Sequence, residues 1–208
     1  MVDPSKLTPE LLVHAYSQGA FPMAEGRGSQ RLAWYSPDPR GVIPLDRFRM
    51  PKNLAKCVRQ RRFHILIDRD FEAVIRTCAE PRSYQRETWI NEHIIHAYCQ
   101  LHEMGLAHSV EAWSLKEGAP HEPGELVGGL YGVSLRGAFF GESMFSRVTD
   151  ASKVCLVHLV EHMKARGMSL LDIQFPNKHL AQFGACGIPR EAFLDQLEAA
   201  LLSESSWA

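Results

Sequence analysis

Three polar side chains stand where apolar strands would be expected. Glu142 sits in Gly141-Glu-Ser-Met-Phe-Ser146, at the end of a glycine-flanked apolar run. Asp172 and Gln174 are two apart in Leu170-Leu-Asp-Ile-Gln174, so strand alternation predicts one shared face. A carboxylate beside an amide in an apolar surround is costly unless the two bind each other or a substrate. The chemistry open to such a set is binding a substrate, which makes it a candidate site. A pair that merely closes a strand end is the plain alternative, and the residue pattern leaves both open.

Other residue patterns carry weaker signals. Lys52, Lys56, Arg59 and Arg62 recur at steps of four and three, which puts cations on one helical face, with Arg61 beside them. They suit phosphate contact or a solvated surface. Trp89 lies between polar residues ahead of a helix and suits an exposed ring for base stacking. Leu130, Phe139, Met144 and Leu171 lie on the strands that carry the polar set. A pocket wall and a core residue look alike at such positions. His158-Leu-Val-Glu161-His162 has the His-x-x-Glu-His spacing of one zinc peptidase class. Leu156, Leu159 and Val160 make that helix a core element, and no distal third ligand stands out, so we expect no metal.

The elements that must position these residues follow from periodicity and punctuation. Helices are predicted over 8–18, 52–61, 71–78, 91–104, 151–166 and 190–202, with a short one near His179. Strands are predicted near Val42 and Ile43, at 63–68, 107–115, 126–134, 138–143 and 169–174, with Arg136-Gly137 turning a hairpin. Phe21-Pro-Met23 reads as the start of a loop, 33–45 as a proline-rigidified connection, and 118–124 as a surface loop. The order implies an α+β domain around one mixed sheet.

Size and charge narrow the classes. The 208 residues suit one large domain or one with a small appendage. With 23 Lys and Arg against 24 Asp and Glu, nucleic-acid affinity must come from a local patch. The five cysteines (57, 78, 99, 155 and 186) form no Cys-x-x-Cys pair, which argues for reduced thiols in a cytoplasm. No apolar signal core opens the chain, and no segment reaches membrane-span length. A cytoplasmic monomer is expected.

Read together, the motifs resemble the bacterial leucyl/phenylalanyl-tRNA–protein transferase family. The resemblance rests on Trp34-Tyr-Ser-Pro-Asp-Pro-Arg40, Thr88-Trp-Ile90, Leu101-His-Glu103, Ala107-His-Ser-Val-Glu111 with Trp113, and 125–132. Gly141–Ser146, Ala151-Ser-Lys153, Leu171-Asp-Ile-Gln174 and Gly184-Ala-Cys-Gly-Ile-Pro-Arg190 complete it. It implies transfer of leucine or phenylalanine from aminoacyl-tRNA to the N-terminal α-amine of proteins beginning with Arg or Lys, creating a degradation signal. It also implies a GNAT-type acyltransferase fold, with a catalytic domain placed here at 63–208 after a reduced N-terminal domain at 1–62. The chain begins late relative to the family pattern, so tRNA contacts made there are expected to be fewer.

The same resemblance assigns roles. Gln174 would accept a hydrogen bond from the attacking amine, Asp172 would orient and polarise Gln174, and Glu142 would hold an amine. Leu130, Phe139, Met144 and Leu171 would line the aminoacyl side-chain pocket. Trp89 would stack on the terminal adenine, with Met23 where the family carries a second tryptophan. Lys52, Lys56, Arg59, Arg61 and Arg62 would meet tRNA phosphates. An aminoacyl ester is already activated, so no cofactor is needed. Two rivals remain at this stage. A coenzyme A-dependent acyltransferase would need a glycine-rich turn, and Val148-Thr-Asp-Ala-Ser-Lys153 has none. A non-catalytic tRNA- or degron-binding adaptor would keep the polar set for binding alone.

Overall fold

Thr8 starts the first helix, α1 (Pro9–Ser17): its hydroxyl accepts from the Leu11 N–H at 3.3 Å. Pro9 takes the first helical position, where a missing N–H costs nothing. The computed structural model describes residues 7–29, 31–81 and 88–208, so the opening segment 1–6 lies outside the described residues. α1 buries Leu12, Ala15 and Tyr16 and leads into β1 (Phe21–Ala24), which pairs antiparallel with β2 (Leu32–Tyr35). The loop expected from Phe21 is therefore a two-stranded ribbon. Pro22 is tolerated because each strand of the ribbon has an open edge.

The chain continues through β3 (Arg40–Val42), α2 (Lys52–Arg59), β4 (His64–Ile67), α3 (Phe71–Cys78) and α4 (Glu92–Glu103). Asp70 and Asn91 cap α3 and α4 by accepting the Ala73 and Ile94 N–H groups, each at 3.0 Å. Next come β5 (Ala107–Lys116), β6 (Ala119–Leu135), β7 (Ala138–Ser146), α5 (Ala151–Ala165) and β8 (Leu170–Gln174). A 3-10 turn (Leu180–Phe183), β9 (Cys186–Ile188) and α6 (Arg190–Leu202) complete the order.

Seven strands form one mixed sheet in the order β4-β5-β6-β7-β8-β3-β9, antiparallel except where β7 meets β8. One expectation fails here for a definable reason, while the short strand expected near Val42 is found as β3. Residues 119–124 are not a surface loop but the first part of β6, paired with β5 out to Lys116↔Ala119. Pairing of β6 with β7 starts only at Gly128, so its two prolines occupy a stretch with one unpaired side. The proline-rich connection at 33–45 holds an inner strand, β3, between β8 and β9. It is three residues long, and Pro39 and Pro44 fall just outside it. Gly41 is required there: a Cβ would stand 2.6 Å from the Phe175 carbonyl carbon. The sheet thus takes in a strand ahead of residue 63, where the second domain was expected to begin.

Helices cover both faces. Side chains of α1, α3, α4 and α6 share one core with Tyr131, Phe140 and Leu170, while α2 and α5 share the other with Leu130, Phe139 and Leu171. The β7–β8 ladder runs only from Ala138↔Leu170 to Phe140↔Asp172. Beyond it β7 stays on β6 through a bulge opposite Tyr131 and Gly132, while β8 turns to β3. The sheet opens at that parting, and the polar set lies there. Among the described residues no helix is long and apolar enough to cross a membrane.

Candidate active site

The bulge in β7 gives Glu142 no cross-strand partner of its own, since Gly132 faces Gly141 and Tyr131 faces Ser143. Its carboxylate is bound from three elements. Tyr16 of α1 donates to Oε1 at 2.7 Å, Tyr98 of α4 to Oε2 at 3.4 Å, and the Gln174 amide Nε2 to Oε1 at 2.9 Å. The Tyr16 and Tyr98 hydroxyls also touch each other. Burial pushes the Glu142 carboxyl up to about 8, the Tyr16 hydroxyl pulls it back, and the nearby Asp172 raises it again. Burial likewise holds both phenols well above their ordinary value, so they remain donors.

Asp172 is fully buried. Its partner is Arg40 of β3, a residue that sequence reading assigned to a matching motif and to no role. Arg40 Nε donates to Oδ1 at 2.8 Å and Nη2 to Oδ2 at 2.6 Å. Its remaining nitrogen, Nη1, donates to the Gly19 carbonyl at 2.7 Å. The rings of Phe21 and Phe193 lie 4.9 and 4.4 Å from the guanidinium carbon. The Gln174 backbone N–H completes the Asp172 shell at 2.9 Å. Burial raises the Asp172 carboxyl while Arg40 and that N–H oppose it. Three donors on two oxygens suit the ionised carboxylate. Asp172 thus holds the backbone of Gln174 and not its amide, which differs from the polarising contact expected. Gln174 itself has φ 58°, a left-handed conformation that ends strand geometry and turns its side chain to Glu142. The only sequence signal for Arg40 was an arginine inside a proline-rich run, a place where exposure is the ordinary expectation.

Glu142 and Gln174 open onto a cavity of about 1030 Å³ between the parted strands and the start of α5. Leu130, Met144 and Leu171 line it, joined by Leu156 and Leu159, which sequence reading placed in the core, and by Ile173. Phe139 does not: it stacks on Trp207 with centroids 5.2 Å apart and is fully buried. Alternation puts it in the cavity-side core, but Trp207 covers it. At the helix end Asp150 pairs with Lys153 at 2.8 Å, and both line the cavity. Tyr131 also lines it, and its hydroxyl is the one buried side-chain polar atom without a hydrogen-bond partner among the described residues.

The nucleic-acid candidates lie elsewhere. Met23 and Trp89 are half-buried and pack on the same core, and the Trp89 carbonyl accepts from the Ala24 N–H at 3.1 Å. The two are therefore neighbours, yet neither lines the cavity. Lys52, Lys56 and Arg59 on α2, with Arg61 and Arg62 after it, are all exposed. His162 is taken up by Trp207, whose carbonyl meets its Nε2 at 3.0 Å, and His158 faces Glu161 at 3.8 Å. Asp68, His102 and His108 form the one metal-like cluster among the described residues, and Asp68 already accepts from His108 Nδ1 at 2.7 Å and the Ser109 N–H at 2.8 Å.

Comparison with known proteins agrees with this layout. The family model for leucyl/phenylalanyl-tRNA protein transferase matches residues 42–198, and the model for that family's N-terminal domain matches 5–38. The chain belongs to the leucyl/phenylalanyl-tRNA protein transferase family. The transferase of Paramagnetospirillum magneticum is 52% identical over 201 residues, covering 97% of this chain and 92% of that one. That of Gloeobacter violaceus is 54% identical over 195 residues, covering 94% of each. Among solved structures, L-PGS from Bacillus licheniformis aligns over 91% of this chain and 61% of its own with TM-score 0.44 and 12% identity. So loose a likeness defines neither fold type nor chemistry.

Proposed function

We propose that the protein is an aminoacyltransferase that moves leucine or phenylalanine from its tRNA ester to the N-terminal α-amine of a protein, with the parted β7–β8 strands as the reaction site. Family membership supports the reaction class, and the relatives carry that activity in their names. The observation that carries the site is the Glu142–Gln174 contact at the cavity mouth. With its NH2 given to Glu142, the Gln174 amide keeps its carbonyl oxygen for an N–H of the incoming amine. Glu142, beside it on the cavity, holds that amine.

The leucine or phenylalanine side chain enters between Leu130, Met144 and Leu171, where a thioether adapts to either shape. Phe139 backs that wall from beneath Trp207. The exposed cations of α2 and Arg61 and Arg62 track tRNA phosphates, and Trp89 with Met23 takes the terminal adenine. The parallel β7–β8 pair that parts at a bulge is the opening expected of a GNAT-type fold, supported by the strand order alone. The ester is its own energy source, so the reaction takes no cofactor. Acceptors begin with Arg or Lys, the enzyme acts as a monomer in the cytoplasm, and Glu142, which lines the cavity, is what would discriminate a cationic acceptor end.

The test uses labelled leucyl-tRNA with four peptides beginning with Arg, Lys, Glu or Met, and no ATP, metal or coenzyme A. Transfer to the Arg and Lys peptides alone is expected. No transfer to any peptide, with tRNA still bound, would make the protein an adaptor. Gln174→Ala is expected to abolish turnover and leave tRNA affinity intact; equal loss of both would remove Gln174 from its assigned place.

A further inference from the structure

We infer that Glu142 is the group that takes the proton from the acceptor amine, and that Asp172, clamped by Arg40, is a positioning residue outside the proton path. The inference rests on the aminoacyl-transfer reading above and assigns the proton within that same site.

Accessibility separates the two carboxylates first. Asp172 is fully buried and does not line the cavity, whereas Glu142 lines it. Occupancy separates them next. Oδ1 of Asp172 receives Arg40 Nε and the Gln174 N–H, and Oδ2 receives Arg40 Nη2. A proton placed on either oxygen would break a bidentate ion pair inside the core. Among the described residues Glu142 has no salt-bridge partner; its bonds come from two phenols and an amide, all neutral donors. Gln174 cannot take the proton itself, because an amide is too weak a base. It can hand the amine to Glu142, since an amine on its carbonyl oxygen is one amide group away from Oε1.

The surroundings match proton affinity to the task. The ionisable groups that act on Glu142 are Tyr16 on α1, Tyr98 on α4, Asp172 on β8 and Arg40 on β3, and Tyr131 on β6 lies within its field. Burial outweighs them and carries the carboxyl to about 8, close to the roughly 7.7–8.0 of a peptide α-amine. Such matching is what general-base transfer favours. The neutral amine nitrogen forms its bond to the ester carbonyl carbon and loses one proton to the Glu142 carboxylate. The bond from that carbon to the ribose oxygen breaks, and the protonated Glu142 returns the proton to the departing oxygen. One C–N bond replaces one C–O bond, the proton balance is zero, and nothing is oxidised.

The experiment measures kcat and peptide KM from pH 5.5 to 9.5 at saturating leucyl-tRNA for the wild type, Glu142→Gln and Asp172→Asn. A wild type that transfers nothing overturns the underlying function; an active wild type leaves the variants to decide the proton. The expected wild-type kcat rises through about pH 8. Glu142→Gln is expected to lose about 100-fold or more in kcat, with KM within about threefold and the rising limb abolished. Asp172→Asn is expected to lower kcat at all pH values while keeping that limb. Glu142→Gln that raises KM and keeps both kcat and the limb overturns the inference, because the limb would then belong to the amine. An Asp172→Asn enzyme that folds and lacks the limb also overturns it. Should Asp172→Asn not fold, the Glu142→Gln profile decides alone.

Discussion

Tyr16 donates to Glu142, whereas the Tyr131 hydroxyl has no hydrogen-bond partner among the described residues, so removing each should show in a different measurement. Tyr16→Phe takes away a 2.7 Å donor that favours the charged carboxylate. The rising limb of kcat should move to higher pH by about one unit, since a hydrogen bond to a charged group is worth about 1.5–3 kcal/mol; an unmoved limb would remove Tyr16 from the site's electrostatics. Tyr131→Phe deletes a buried hydroxyl that has no partner. It should raise the stability by about 1 kcal/mol, read as a higher denaturation midpoint. Glu142 itself carries a pH signature. Its folded value of about 8 lies above its ordinary 4.5, so between those values the folded chain holds a proton that the unfolded chain has lost. Stability therefore falls as pH rises across that window. Glu142→Gln should gain melting temperature over the wild type at pH 8.5 and gain none from this source at pH 4. The three residues of the polar set were legible in the sequence because polar side chains interrupt apolar strands. Arg40, Tyr16 and Tyr98 were not, because an arginine beside prolines and tyrosines on amphipathic helices read as ordinary surface and core until folding brings them within reach of Asp172 and Glu142.

At the level of elements, β3 matters more than its three residues suggest. Gly41 pairs with Gln174, and a Cβ at Gly41 would collide with the backbone of Phe175 and Pro176. Gly41→Ala should therefore displace the turn that carries Gln174 and cut kcat by about tenfold or more while tRNA affinity holds; unchanged kcat would mean the turn tolerates the shift. The basic helix makes a separate prediction. Replacing Lys56 and Arg59 together should weaken tRNA binding and make the slope of log affinity against log salt shallower by about 1.4–1.8 if both meet phosphates, and leave it unchanged if they are solvated. Periodicity placed α3 over 71–78 and α6 over 190–202 as observed. It missed β1, β2 and β9 because strands of three or four residues are too short for alternation to register.

Across the whole molecule, one mixed sheet with helices on both faces follows from the element order, whereas the division at residue 62 does not appear as a break in that sheet. Order along the chain says nothing about which strands will be neighbours, and where β3 reaches across to β8 the backbone pairing is joined by the Arg40–Asp172 ion pair. Arg40→Met should accordingly cost about 3–5 kcal/mol, the range for a buried ion pair stripped of one partner, seen as a large fall in denaturation midpoint. That guanidinium joins Gly19 behind α1, Asp172 in β8 and the ring of Phe193 in α6. Residues from near the start of the chain and from its last fifth thus meet at one cation. The joint closes only when the first helix, α1, and the last, α6, have come together. Forming it is therefore a long-range step, and contacts between segments so far apart in sequence slow folding.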